Sequence, residues 1–415
     1  MKRKSFAVIG GGAAGLLAAG MAAESGLLVT VFEPNEKLGR KLRITGKGRC
    51  NITNACDMAG FLEHIPCGGC FLCSSFSNFS SYDVIDFFEN LGVRLKIERG
   101  NRVFPQSDQA NEVAQALIDY CKRGGVSFKR EKVLDILFDG DKAVGLVTKD
   151  GEFFFDSILL ATGGKSYPAT GSTGDGYRFA KKTGHTVSPL RPSLVPLVTK
   201  EKWPALAQGV SLRNVRITVI DEKRKKQVCS EQGEALFTHY GVSGPLVLQA
   251  SALMDDMEPE RYRLTFDLKP ALSEEKLDKR ILRELEEAGA KTAGNIMKAL
   301  LPNKLIVPIC NLSEIPIGLL GSRITKRQRK NLVKVLKNLS LTTEGFRPWE
   351  EAIITRGGVC LKEVNPKTME SVLKKGLYFA GEILDVDGYT GGFNLQIAWS
   401  TAAAVAKAVC RENIN

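Results

Sequence analysis

The sequence predicts an α/β protein. Its parallel sheet and crossover helices come from the first and last parts of the chain, with an inserted β-barrel or sandwich between them. Three observations predict this. At the start, a short apolar strand runs directly into a glycine-rich turn and an Ala-rich helix. From Pro192 to about Trp349 the alternation of helix and strand gives way to short strand-like runs and charged helices. Near the end, a strand, a glycine-rich loop and a helix of small residues return. A length of 415 residues is that of two or three domains.

The opening element is the run Ser5 to Ile9, apolar enough for a buried parallel strand. Gly10, Gly12 and Gly15 follow in a G-x-G-x-x-G pattern, then a Pro-free helix from Leu16 to Glu24, and a second strand from Leu27 to Phe32 that ends in Glu33. Each part has a task in holding a dinucleotide. Gly10 allows the tight turn, Gly12 lets the backbone approach a pyrophosphate, and Gly15 lets helix and strand pack closely. The helix start offers N–H groups and a positive dipole end to phosphates. Glu33 can accept hydrogen bonds from both ribose hydroxyls. Lys2-Arg3-Lys4 before an apolar stretch also resembles a secretory signal, but that reading leaves the glycines and Glu33 unexplained.

After Glu33 and Pro34 comes a cation- and glycine-rich segment with Arg40, Lys41, Gly48, Arg49, Cys50 and Asn51. It lacks a sustained apolar period and reads as a loop or short irregular helix, a strap over phosphates and a ring system. Ser80 to Leu91 is an amphipathic helix, and Val93 to Ile97, Asn111 to Cys121 and Val126 to Arg130 continue the alternation. Two strands flank the hairpin signal Asp139-Gly140. Phe153 to Leu160 reads as one buried strand running into Ala161, Thr162, Gly163 and Gly164, the strand end where parallel sheets bind ligands. Asp175 reads equally as a helix cap or a ligand.

The inserted region holds short strands at Ser193 to Thr199, Val215 to Ile220, Glu234 to Phe237, Leu246 to Gln249 and Tyr262 to Leu268. Ser273 caps a charged helix, and Thr292 to Leu301 and Thr325 to Leu339 add two more. The last is strongly basic and reads as a solvated face. Strands are expected again at Ala352 to Thr355 and Val359 to Val364. They are followed by a strand at Gly376 to Glu382, a loop from Asp385 to Asn394 and a helix from Leu395 to Val409.

Bulk properties narrow the classes. The composition, 43% hydrophobic and 25% charged with no run long enough to span a bilayer, excludes a membrane-spanning helix. The net charge of +12 suits a basic surface around a phosphate-bearing ligand. No RNA-recognition signature accompanies it, so nucleic acid is not expected as a partner. Ten cysteines without a credible export signal are expected to be reduced thiols in a cytoplasm. Cys67, Cys70 and Cys73 have the spacing of an iron–sulfur or zinc half-site, but the position that would complete a cluster is Ser77. With only Cys50 and Cys56 as substitutes, the stretch is read as a thiol-bearing surface loop, and no metal is expected.

Three long stretches resemble one bacterial family. They are Glu33 to Asn54, Gly233 to Pro245 (containing Phe237-Thr238-His239-Tyr240-Gly241) and Gly381 to Gln396. The chain is similar from end to end to the FAD-binding family commonly called aminoacetone-oxidase-like, which includes a flavoprotein of bile-acid dehydroxylation. The resemblance implies a Rossmann-like FAD-binding domain, residues 1–192 and 356–415. This would be interrupted by a β-barrel, 193–271 and 340–355, carrying a helical subdomain, 272–339. It implies that Gly10, Gly12, Ala13, Ala14 and Gly15 hold the pyrophosphate and that Glu33 holds the adenosine ribose. Arg40, Lys41 and Gly48 to Asn51 would line phosphates and flavin, and Val133 would offer its backbone to adenine. Gly381, Glu382 and Asp385 would sit at the ribityl chain. Gly392, Phe393, Asn394 and Leu395 would bring a helix N-terminus to the flavin ring, where its dipole stabilises a reduced flavin's negative charge.

The expected function is that of an FAD-dependent oxidoreductase exchanging hydride equivalents with a small organic substrate at the barrel–flavin interface. With a single dinucleotide fingerprint, NAD(P)H can serve only as a diffusible reductant. His239 is the candidate proton donor or acceptor, because histidine titrates near neutral pH. The alternatives are an oxygen-dependent amine oxidase and a non-catalytic module in which FAD is structural and the surface binds RNA or protein.

Overall fold

The computed structural model describes residues 3–287 and 289–411; Met1, Lys2 and the extreme C-terminal residues lie outside them. The chain divides into two compact units, Met1–Pro192 with Ala352–Asn415, and Ser193–Glu351.

In the first unit, five parallel strands lie in the order Leu377–Phe379, Ser157–Leu160, Ser5–Ile9, Leu28–Phe32, Ser127–Lys129. Phe6, Ala7, Val8, Ile158 to Leu160 and Leu377 to Phe379 are wholly buried, as a sheet covered on both faces requires. The helix Ala13–Glu24 runs back from the first strand and packs against the C-terminal helix Phe393–Arg411. Small residues on both helices, among them Ala18, Ala19, Ala402 and Ala403, permit that close approach. Trp399 anchors the second helix by donating its indole N–H to the Ile52 carbonyl at 2.9 Å.

In the second unit, six strands close a barrel: Leu197–Thr199, Gly241–Ser243, Lys226–Phe237, Ser211–Asp221, Tyr262–Asp267 and Leu339–Phe346. The insertion is therefore a barrel and not a sandwich. Among the described residues five helices, Pro245–Ala252, Glu274–Glu286, Ala293–Met297, Asn303–Leu312 and Lys326–Lys337, share its core, where Val247, Leu277, Ile309 and Leu336 join Phe237 and Phe266.

Several local expectations need correction. Phe153 to Leu160 is two strands. Gly151–Phe154 pairs in a three-stranded antiparallel sheet and Ser157–Leu160 enters the parallel one. Asp156 breaks the run, because its carboxylate turns aside to accept from both the Ser5 amide and hydroxyl at 2.7 Å. Leu246 to Gln249 lies in a helix, Pro245–Ala252, since Pro245 is preorganised for the first helical position. Val359 to Val364 is irregular, with one short helical turn at Leu361–Glu363. The helix Asn303–Leu312 was hidden from sequence reading by Pro308 inside it.

Candidate functional site

The carboxyl ends of the central strands open into a cleft of about 1110 Å³, built entirely from the first unit. At its base, Gly10 has φ +110°, and a side chain there would meet the Ala161 carbonyl at 2.4 Å. At Gly15 an added methyl would lie 1.9 Å from the Gly10 carbonyl oxygen, so helix and strand meet backbone to backbone. Gly12 is different. It sits at the start of the helix, provides no side-chain cap, and faces open space. A ligand can therefore reach the helix N-terminus there without meeting a side chain.

Glu33 closes one side. Its Oε2 accepts from the Gly11 amide at 2.9 Å, and its Oε1 accepts from the Asn35 amide at 2.9 Å and the Asn35 side chain at 2.6 Å. Three of a carboxylate's roughly four acceptor positions are filled, which leaves room for one ligand hydroxyl donor. Asn35 Oδ1 in turn accepts from Arg40 Nη1 at 2.7 Å. Lys37 and Arg40 line the same cleft as the glycine turn, and the Gly39 amide between them donates to the Gly11 carbonyl at 2.8 Å.

Farther along, Lys41 Nζ donates to Ser166 Oγ and Glu382 Oε2, both at 2.6 Å. Glu382 Oε1 accepts from Ser166 Oγ at 2.8 Å and the Thr355 amide at 2.9 Å. The Tyr177 hydroxyl donates to the Glu382 carbonyl at 3.2 Å. Burial, reinforced by Glu382 and Asp385, pushes that phenol well above its ordinary pKa, so it stays a donor. Asn394 pins the loop before the C-terminal helix by exchanging hydrogen bonds with the Gly388 backbone at 2.9 and 2.6 Å.

A neighbouring cleft of about 830 Å³ shares Gly10, Glu33, Asn35, Thr162 and Gly171 with the first. Ile9, Phe32, Pro168 and Phe179 supply apolar lining, and Val133 lines it as well. Asp175 stands at its edge as the first residue of a helix, paired with Lys132 at 2.7 Å. The Lys132 ammonium holds that carboxylate below its usual range.

Together these clefts bring Gly10, Gly12, Ala13, Ala14, Glu33, Arg40, Lys41, Ala161, Thr162, Gly163, Gly381, Glu382, Asn394 and Leu395 onto one lining, with Pro34 and Val133 on the adjoining one. Gly15, Gly48, Arg49, Cys50, Asn51, Asp385, Gly392 and Phe393 are not on either, Gly15 because it packs against the Gly10 backbone. The Arg49 guanidinium is bonded to Glu98 and to Asp108 and lies 4.2 Å over the Phe104 ring. Cys50 is fully buried, Asp385 accepts from Ser188 at 2.6 Å, and Phe393 packs in the core. Lys37 and Thr45, within the cation- and glycine-rich segment read as a strap, line the cleft as well, whereas nothing local in the sequence marks Ser166 or Thr355, and Asn35 is marked only by lying two residues beyond Glu33. His239 lies in the second unit, exposed on the turn between two barrel strands, its ring edge-on to Tyr240. Cys70 is exposed and Cys67 and Cys73 half-buried. Among the described residues no cluster of histidine, cysteine and acidic side chains could hold a metal.

The donor set fits FAD: an uncapped helix start with open approach at Gly12, cations for a pyrophosphate, an acid with one vacancy for a ribose, and an apolar-lined cleft for adenine. Comparison with known proteins agrees. The chain is 34% identical over 408 residues to a 3-dehydro-bile acid delta(4,6)-reductase of Clostridium scindens, covering 97% of this chain and 98% of that one. It is 33% identical over 412 residues to a ribosomal RNA dihydrouridine synthase of Haemophilus influenzae, covering 98% of each. In fold it is similar to the open conformation of a flavocytochrome c3 fumarate reductase, with TM-score 0.51 and 16% identity over 100% of this chain and 79% of that one. No helix among the described residues is long and apolar enough to cross a membrane. The fold and the donor set fit an FAD-dependent oxidoreductase. The model of the HI0933-like protein Rossmann domain matches residues 4–408, and the chain belongs to the HI0933-like family.

Proposed function

We propose that this enzyme reduces a carbon–carbon double bond conjugated to a carbonyl, with NAD(P)H as a diffusible reductant. The observation that carries the reading is the bond change common to its full-length relatives. A delta(4,6)-reductase of a 3-dehydro bile acid and a dihydrouridine synthase both saturate a carbon–carbon bond in conjugation with a ring carbonyl. When bound, FAD supplies the two-electron carrier between nicotinamide and that bond.

The chain's own residues hold the carrier and shape its surroundings. Lys37 and Arg40 neutralise the pyrophosphate beside the uncapped helix at Gly12, and Glu33 fixes the ribose. Val133 offers its backbone at the apolar slot. Lys41, Ser166, Thr355 and Glu382 form a closed hydrogen-bonded set, so the wall they make is rigid. Asn394 and Leu395 bring the start of the C-terminal helix to the cleft, where its dipole favours the negative charge of a reduced carrier.

The test is product analysis. Anaerobic incubation with NADH or NADPH and a 4,6-dien-3-one steroid, or a uridine-containing RNA, should give a product heavier by two hydrogens. Oxygen consumption driven by aminoacetone, with neither acceptor reduced, would support amine oxidation instead.

A further inference from the structure

The full-length relatives differ in what carries the reducible bond, and one surface of the second unit bears on that difference. Between residues 291 and 337 the chain has ten lysines and arginines and a single carboxylate, Glu314. Folding neutralises only part of this charge. Arg327 pairs with Glu314 at 3.1 Å, Arg329 with Asp278 at 2.8 Å, and Lys337 with Asp267 at 2.5 Å. Lys291, Arg323, Lys326, Lys330 and Lys334 are all exposed, and among the described residues none makes an ion pair or side-chain hydrogen bond.

These five cations are arranged together. Lys326, Lys330 and Lys334 recur every fourth residue on the helix Lys326–Lys337, so they form one stripe about 12 Å long. Gly321 donates its amide to the Lys291 carbonyl at 3.0 Å, and Thr292 bridges to Leu320, which brings Lys291 beside the segment leading through Arg323 to that helix. Thr292 also borders a groove lined by Asn295, Lys298, Asn303 and Ile317. A like-charged stripe stores repulsion unless an anion answers it.

We infer that this face of the helical subdomain docks RNA by its phosphates. Of the helix's apolar residues, Leu332, Val333 and Leu336 are buried in the unit's core and Val335 packs half-buried against it, so the helix has no free apolar face to insert into a lipid surface. The contact supplies affinity without sequence choice, as phosphate neutralisation does, and leaves selection to the site of reaction. The inference rests on the reductase reading only in making an RNA the carrier of the bond reduced.

The experiment uses the full-length holoenzyme and three probes: deproteinised bulk ribosomal RNA, phosphatidylglycerol vesicles, and a 4,6-dien-3-one steroid. Lys326, Lys330 and Lys334 are replaced together by glutamine, and Lys122, Arg123 and Lys149 serve as a matched charge-removal control. The expected result is at least tenfold weaker RNA binding by the first variant, with a salt dependence shallower by about two in log–log slope. The control should stay within twofold, and flavin content and thermal midpoint should be unchanged. Should charge removal at the stripe unfold the unit, Lys→Arg at the same three positions must restore folding and RNA affinity together. The inference is overturned if the glutamine variant keeps wild-type affinity and slope, if the wild type binds vesicles but not RNA, or if it binds neither. Failure of the steroid and RNA to be reduced, with RNA binding still lost in the stripe variant, would sink the reductase reading and leave the docking face standing.

Discussion

Lys41 Nζ lies 2.6 Å from Glu382 Oε2, so two residues 341 positions apart in sequence join the strap after the second strand to the loop after the last one. Both side chains are about three-quarters buried. The pair does not stand alone, since Ser166 and the Thr355 amide share the same carboxylate.

Glu382→Ala removes the acceptor for all of these donors at once. Buried donors left without partners cost roughly 1–3 kcal/mol. The variant should lose about that much stability by denaturant titration and release its flavin more readily. Lys41→Met combined with it should cost less than the two changes summed, because both break one network. Strict additivity would show that the network is not coupled.

Gly12 and Gly15 make a paired prediction. Alanine suits a helix better than glycine by roughly 1 kcal/mol, yet Gly15→Ala places a methyl 1.9 Å from the Gly10 oxygen. That variant should be destabilised even without cofactor. Gly12→Ala meets nothing within 4 Å and sits at the helix N-cap, so the apoprotein should lose at most about 1 kcal/mol, the cost of a poorer cap, while FAD affinity falls. Equal behaviour of the two variants in apoprotein melting would contradict the steric account.

Asp221 and Arg261 form a buried pair inside the barrel unit, with Arg261 Nη2 2.9 Å from Asp221 Oδ2. The guanidinium's hydrogen bonds hold the Asp221 carboxyl below its ordinary range, against the opposing effect of burial. A carboxylate depressed in the folded state stabilises the fold above its unfolded pKa of about 3.9 and loses that contribution as pH falls through the folded value. The thermal midpoint should therefore drop on acidification below about pH 4. Asp221→Asn should be less stable at neutral pH and show a flatter acid limb. An unchanged acid limb would show that other carboxylates set it.

How much of this was legible in sequence follows from distance along the chain. The glycine turn could be read because its constraints (tight turn, open approach, close helix packing) fall within a few residues of Gly10. Glu33 was legible because the motif fixes its spacing. The Lys41–Ser166–Glu382 set was not, because only the parallel sheet order brings those three segments together. Arg49 reads as a phosphate ligand by its neighbours, yet Glu98 and Asp108 reach it through a hairpin that no local pattern announces. Leu246 to Gln249 misleads for a different reason: an apolar run of four suits strand or helix alike, and Pro245 decides it.

The central claim is a reductase that takes electrons from a nicotinamide and gives them to a conjugated double bond. The most direct measurement is an anaerobic titration of the purified holoenzyme with NADH and NADPH, followed by addition of a conjugated acceptor while the flavin absorbance is recorded. The account predicts stoichiometric bleaching by at least one nucleotide and, without oxygen, return of the colour as the acceptor gains two hydrogens. Bleaching by an amine but by neither nucleotide, with colour restored only by oxygen, would contradict it.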